Sequence, residues 1–390
     1  MAHSFKQHAS RLAINAALVA CASIYGVACT TAMSASSSDA SAEFAYIGTQ
    51  QKQISALRLD TATGKLVALG TAAQGPNATW VASHPALPVL YAVDDERDKE
   101  GSITAYAVNR HTGKLERIND VLTGGRGTTF LQFDAPSSTL LGANYNSGSV
   151  SSVAVGSDGS VGKLESTIEE KGSGPSPRQK SAHAHGVTVD PSGRYALVPD
   201  LGADRVFIYR FDRDTHALSP RAGDAQHTFD MPPGSGPRRI LFSANGEYAY
   251  VLTEMSAELI ALRWDAAAGT LTRLQSTPIT SASFNGVKSG AEMAFGRDRR
   301  FLYVENRAEN ALMVYKVDAA TGQVSLVQRT PSGGEKPWGF GIDASGQWML
   351  VANQHSGDVR LFRIDPTTGM LTDTGQSVAV QDPTSVAFVQ

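Results

Sequence analysis

One pattern returns seven times along the chain, and it restricts the possible folds more than any other feature. A polar turn closes on an aliphatic residue in DTATGKL ending at Leu66, NRHTGKL at Leu115, SDGSVGKL at Leu164, DRDTHAL at Leu218, DAAAGTL at Leu271, DAATGQV at Val324 and DPTTGML at Leu371. Recurrence about every fifty residues, with Asp and Gly at the turn, fits one hairpin inside a four-stranded unit. Each repeat also carries an apolar strand, a tight polar turn and a second apolar strand, as in VTVDPSGRYALVPD, ILFSANGEYAYVLTE, MAFGRDRRFLYVENR and FGIDASGQWMLVANQ. No long stretch with helical periodicity follows residue 44.

Seven units of four strands predict an all-β, seven-bladed β-propeller, in which radial repetition leaves only short, protected sheet edges. The chain ends predict how the ring closes. PTSVAFVQ at the C-terminus matches the first strand of the paired element and stops before its turn, whereas FAYIGTQ from Phe44 matches the second strand. Both ends therefore belong in one blade, and Gln390 is expected to be structural.

The first 43 residues read differently from the propeller domain expected over 44–390. Lys6 and Arg11 precede the apolar run LAINAALVACASIYGVAC (Leu12 to Cys29), and the small, polar TTAMSASSSDASAE follows. This is the pattern of an export signal and a flexible spacer. A membrane span is the rival reading, weakened by Asn15 and by the many Ala and Ser residues. LVAC at 18–21 resembles a lipobox, in which the cysteine carries lipid; GVAC at 26–29 is a poorer match, and cleavage near Ala35 is the alternative. The expected location is the periplasm or envelope, with membrane contact only through a lipid anchor. Both cysteines, Cys21 and Cys29, lie in the leader, so the body offers no disulfide, zinc-thiolate or cysteine nucleophile. A net charge of -3 argues against a nucleic-acid partner. Oligomeric state is left open.

Within PSPRQKSAHAHGVTVDPSGRYALVPDLG (175–202), His183 and His185 stand one residue apart at the head of a strand, where a period of two puts both imidazoles on one face. Two such histidines could bind a cation with Asp200 and Asp204. That spacing alone is weak, and the primary expectation is no metal and no cofactor. TGGRGTT at 123–129 opens no helix and is not a phosphate loop. Serine triads and dinucleotide fingerprints are absent as well.

GSGPSPRQ (172–179), HAH (183–185), VPDLGADRVFIYR (198–210), GSGPRR (234–239) and VANQHSGDV (351–359), in this order, resemble the seven-bladed propeller lactonase family. That family includes bacterial 6-phosphogluconolactonase and the fungal carboxy-muconate lactonizing enzyme. The resemblance runs from YIGTQ at 46 to the C-terminus. In the lactonizing branch a His, an Arg, a Glu and a second Arg are proposed for the site, and they match His185, Arg238, Glu254 and Arg307. Glu254 is expected to stand where neighbouring blades carry Asp200, Asn306 and Gln354, a ring facing one channel. His183, Arg178, Asp200, Asn306, Trp338 and Asn353 complete the candidate substrate-binding set.

The family pattern is broken at three places: GTTFLQF (127–133) lacks a Pro-His pair, Asp94 in YAVDDE replaces an Asn, and Trp338 stands where an Arg is common. These departures leave the fold intact and bear on the substrate. Opening a lactone needs a base for water, donors for the oxyanion and a proton for the leaving alkoxide. His185 suits the base, Glu254 the acid or a base-orienting partner, and the arginines the anion and oxyanion. The resemblance thus implies a small sugar-type lactone as partner. Its rivals are a non-catalytic, ligand-binding propeller and a muconate-type cycloisomerase.

Overall fold

The computed structural model describes residues 42–221 and 227–389. The leader, its lipobox and signal readings, and Gln390 lie outside these residues.

Seven sheets form the ring. Blade 1 takes its inner strand, Pro383–Val389, from the C-terminus and its other three, Ala42–Thr49, Gln53–Asp60 and Lys65–Gln74, from the start of the body. Backbone pairing of Phe44 with Val389 through Gly48 with Ser385 joins the two ends, the closure expected from their sequences. Blades 2 to 7 follow in chain order, with inner strands at Val81–Ser83, Thr128–Asp134, Thr188–Val189, Pro237–Phe242, Gly290–Phe295 and Pro337–Ile342.

Blade 4 departs from four regular strands. Its outer edge is split between Ala217–Ser219, which pairs with 210–212, and Thr228–Asp230, which pairs with 205–207. Its inner strand is short because residues 183–187 leave the ladder, touching it only through the bridge between Ala184 and Asp200. This irregular backbone carries the paired histidines.

The second strand of every blade is buried on both faces, which is why the sequence there reads as an unbroken apolar run. In blade 5, Tyr248, Tyr250 and Leu252 face blade 6, whereas Ala249 and Val251 face blade 4. The hydrophobic core accordingly falls into seven clusters, one between each pair of adjacent blades. Each fully buried aliphatic side chain contributes about 1.5–3 kcal/mol. Beyond a buried first residue, the outermost strands alternate half-buried and exposed residues, because they have solvent on one side.

The recurring turn acquires its meaning from these interfaces. The hydroxyls of Tyr46, Tyr91, Tyr250 and Tyr303, on second strands, each donate a 3.0 Å hydrogen bond to the carbonyl of a turn glycine in the next blade: Gly113, Gly159, Gly322 and Gly369. At Gly322 the φ of 71° and a Tyr248 ring 2.2 Å from any added Cβ require glycine. In blade 4, His216 takes the corresponding place at φ 58° and bonds Thr139 of blade 3 through Nδ1, at 2.8 Å.

Candidate active site

A cavity of about 340 Å³ opens at one end of the channel. Its wall is a ring defined by the backbone: a residue one or, in blade 2, two past the end of each second strand donates its N–H to a carbonyl in the loop before the inner strand. The pairs are Gln50 to Asp382, Asp95 to Asn77, Tyr145 to Gly127, Leu201 to His183, Glu254 to Gly236, Arg307 to Ser289 and Gln354 to Lys336. Five of the seven, Gln50, Asp95, Tyr145, Glu254 and Arg307, line the cavity.

This ring corrects the sequence alignment. Asp200 and Asn306 do not correspond to Glu254; they and Asn353 sit one residue earlier, and a shift of one turns a side chain to the other face. All three are fully buried within the blades and do not line the cavity. Asp200 accepts from the N–H groups of His183 (2.8 Å) and Ala203 (2.7 Å). Asn306 donates to the Ile279 carbonyl (2.9 Å) and to Glu309 (2.8 Å), and Asn353 to the Ser332 carbonyl (3.3 Å). These three brace loops instead of facing a substrate.

His185, Arg238, Glu254 and Arg307 do converge. Glu254 accepts through Oε1 from Arg178 Nη2 (2.8 Å) and Arg307 Nη2 (3.2 Å), and through Oε2 from Arg238 Nη1 (3.2 Å), with His185 Nε2 at 3.5 Å. Burial alone would raise its pKa, but Arg307, the His185 contact and Arg238 outweigh burial and hold the carboxyl well below the usual range. Glu254 is therefore an ionised anchor at neutral pH. Of its two expected roles, proton donor does not fit and base-orienting partner does.

His185 is buried against Arg238, whose Nη1 bonds its Nε2. Burial first, and the Arg238 charge second, lower its pKa to about 3. The imidazole is therefore neutral at pH 7, with its Nε2 engaged by Arg238. Arg238 itself is fixed by Nε donating to the Ala291 carbonyl at 2.5 Å. Arg307 is held by Ser289 Oγ (3.0 Å) and lies 4.4 Å from the Trp338 ring centroid. Trp338 thus lines the cavity as a platform for Arg307.

His183 and Arg178 also reach the cavity. His183 stacks on the Tyr145 ring (centroids 4.6 Å apart) while His185 meets that ring edge-on at 5.1 Å. His183 Nδ1 bonds the Tyr145 carbonyl at 2.8 Å. In the PSPRQ loop, buried Gln179 donates to the Leu201 carbonyl (2.8 Å) and to Asp204 (2.7 Å), which leaves Arg178 directed at Glu254. Asp204 also receives the N–H groups of Gly234 (2.6 Å) and Gly236 (2.8 Å). Both carboxylates available to complete a histidine metal site are thus engaged in loop bracing, and among the described residues no group of three metal-binding side chains assembles.

Arg239, Trp80, Asp95, Arg97, Thr79 and Tyr145 line the cavity without having been singled out from sequence. Arg239 is ion-paired with Glu292 (Nε to Oε2, 2.8 Å), donates to the His185 carbonyl, and is flanked by the rings of Trp80 (4.8 Å) and Phe130 (4.3 Å). It positions the His185 backbone from the neighbouring blade. Phe130 lies in GTTFLQF, so that departure from the family pattern builds the seat of Arg239. Asp94, the second departure, accepts from the Asn77 N–H (3.3 Å) and pairs with Lys99 (3.0 Å) outside the cavity wall; its neighbour Asp95 is the lining residue.

Behind the histidine loop, Glu170 and Asp200 share a buried contact, and Tyr209 donates to Glu170 Oε1 at 3.2 Å. Burial, and then the charge of Asp200, raise the Glu170 carboxyl well above its ordinary 4.5. A raised folded-state value gives stability that is full below pH 4.5 and is lost as pH climbs toward that value. Glu170→Gln, whose amide can donate to Asp200 at any pH, is expected to flatten this decline. Melting temperatures from pH 4 to 9 check it; an unchanged slope would mean that Glu170 is ionised in the fold.

Comparisons agree with this architecture. Residues 44–388 match the family described as lactonase, 7-bladed beta-propeller. A 6-phosphogluconolactonase of Bacillus subtilis is 31% identical over 348 residues, covering 88% of this chain and 97% of the relative. One from Formosa agariphila is 30% identical over 80% of this chain and 88% of its own. The solved structure of the Pseudomonas aeruginosa periplasmic gluconolactonase superposes with a TM-score of 0.82 at 32% identity, over 90% of this chain and 99% of that one. With the ring closed by both termini and the match spanning all seven blades, the chain belongs to the seven-bladed β-propeller lactonase family.

Proposed function

We propose that this protein is an exported lactonase that hydrolyses a small sugar-type lactone by water attack assisted by His185, with arginines stabilising the anionic groups. The single observation that carries the reading is the contact of Arg238 with both His185 and Glu254 in a buried cluster lining the cavity. Three guanidiniums, those of Arg178, Arg238 and Arg307, share one carboxylate, so the cluster retains positive charge for an oxyanion or a substrate anion.

Arg238 Nη1 occupies the lone pair of His185 Nε2. A carbonyl oxygen entering the cavity competes for Arg238 Nη1, and as that N–H bonds the developing oxyanion the imidazole is freed to take a proton from water, while Nε keeps its bond to the Ala291 carbonyl. Glu254 stays ionised and holds the guanidiniums in place. The likeness to a periplasmic gluconolactonase and the basic, apolar leader together support export.

A pH-stat panel of aldonolactones, phosphorylated and unphosphorylated, tests the reaction, with loss of muconate absorbance as the arm for cycloisomerisation. Base uptake above the spontaneous rate is expected with unphosphorylated lactones. If no lactone opens faster than background, the ligand-binding reading replaces this one. Mass spectrometry of the mature N-terminus tests export, and an intact Met1 would overturn it.

A further inference from the structure

The cluster around His185 supplies a base and oxyanion donors but no acid, since Glu254 is ionised. Asp95 occupies the equivalent ring position in blade 2, three blades away and almost across the channel, and lines the same cavity. We propose that Asp95 is the proton donor to the departing ring oxygen during lactone opening, an inference that rests on the lactonase reading.

Its surroundings differ from those of Glu254 in the way an acid requires. Glu254 faces three guanidiniums. The Asp95 carboxyl is met by a neutral partner, Thr79, whose hydroxyl donates to Oδ2 at 2.9 Å, and both residues line the cavity. The charged groups near it are its acidic neighbours Asp94 and Glu96 and the guanidinium of Arg97. Asp94 is engaged by Lys99 at 3.0 Å, and Glu96 by Lys52 of blade 1 at 2.5 Å. Burial, only partly offset by Thr79 and Arg97, raises the Asp95 carboxyl to about 7, so it keeps a proton near neutrality. Two carboxyls in one cavity, one held well below the usual range and one raised to about 7, divide the anchoring and acid roles between them.

The step balances simply. Water adds to the lactone carbonyl as His185 takes its proton. The acyl carbon to ring-oxygen bond then breaks, and the Asp95 proton passes to that oxygen to give the hydroxy acid. The proton held by His185 returns through solvent to Asp95.

Leaving-group dependence tests the assignment, because a phenolate needs no acid whereas an alkoxide does. Asp95→Asn is expected to lower kcat on glucono-δ-lactone roughly a hundredfold with KM little changed, and to lower turnover of dihydrocoumarin only a few-fold. The variant should also lose the basic limb near pH 7 in kcat/KM, and Asp95→Glu should recover part of the activity. Equal losses on both lactones, no loss on glucono-δ-lactone, or a wild-type profile without that limb would overturn the role of Asp95. Wild-type turnover in the same assay shows independently whether the lactonase reading stands; if the wild type opens neither lactone, both readings fall.

Discussion

Glu254→Ala should destabilise the protein by about 3–5 kcal/mol, the usual consequence of leaving buried charges without their partner. The carboxylate is the common acceptor for Arg178, Arg238 and Arg307, and Arg238 and Arg307 are themselves buried. Without it, two guanidiniums repel each other inside a poorly hydrated wall, and the floor of the cavity must open to admit water. Arg178→Ala is the control: its side chain is half exposed, and a pair of that kind contributes about 0–1 kcal/mol. Urea unfolding midpoints measure both. The pH dependence carries a sign as well. Glu254 has a depressed folded-state value, so its contribution is present above pH 4.5 and is lost as pH falls toward that lower value. Glu254→Gln should therefore be less stable than wild type at pH 7 and lose less on acidification. A Glu254→Ala midpoint equal to that of wild type would show that the three arginines do not depend on this carboxylate.

The largest expected loss of activity is at His185. His185→Ala should reduce kcat by about 10²–10⁴-fold, the range that a positioned general base supplies. The residue sits in a loop ahead of a short inner strand, and none of the seven hydrophobic clusters includes it, so the ring of blades should survive. A cooperative melt with a preserved β-sheet spectrum separates loss of chemistry from loss of fold, and His185→Gln gives a second variant that keeps an acceptor for Arg238. Because the imidazole of the free enzyme is depressed to about 3, kcat/KM should show no acid limb near 6.5. An acid limb at 6.5 that disappears in His185→Gln would place the Arg238 charge away from the ring in solution. Full activity in both variants would remove His185 from the reaction.

Particular residues show how far the sequence could be read. The seven turns, the paired apolar strands and the split blade at the chain ends were legible because they repeat: a period of two in the strands and a recurring turn survive any variation in side chains. His185, Arg238, Glu254 and Arg307 were legible through the family motifs around them. Asp200, Asn306 and Asn353 were misplaced because a polar residue can stand either at the end of the second strand or just past it, and in Asn306-Arg307 and Asn353-Gln354 it stands at both. Only the backbone bond from the following residue identifies which one turns toward the channel. Asp95 carried no signal in an acidic run, where its neighbours Asp94 and Glu96 have the same chemistry and point elsewhere.

The sequence by itself determined the number of blades, the closure by both termini and the identity of the four clustered residues, since each is written in local periodicity or motif. Tertiary structure alone decided the direction in which each buried group is shifted, Glu254 and His185 downward and Asp95 upward. Those shifts depend on burial and on charges delivered from other blades. Arg238 is 53 positions from His185 in the chain, yet its guanidinium bonds the imidazole. Electrostatic interaction depends on distance in space and on exclusion of water, and neither can be read from one blade's sequence.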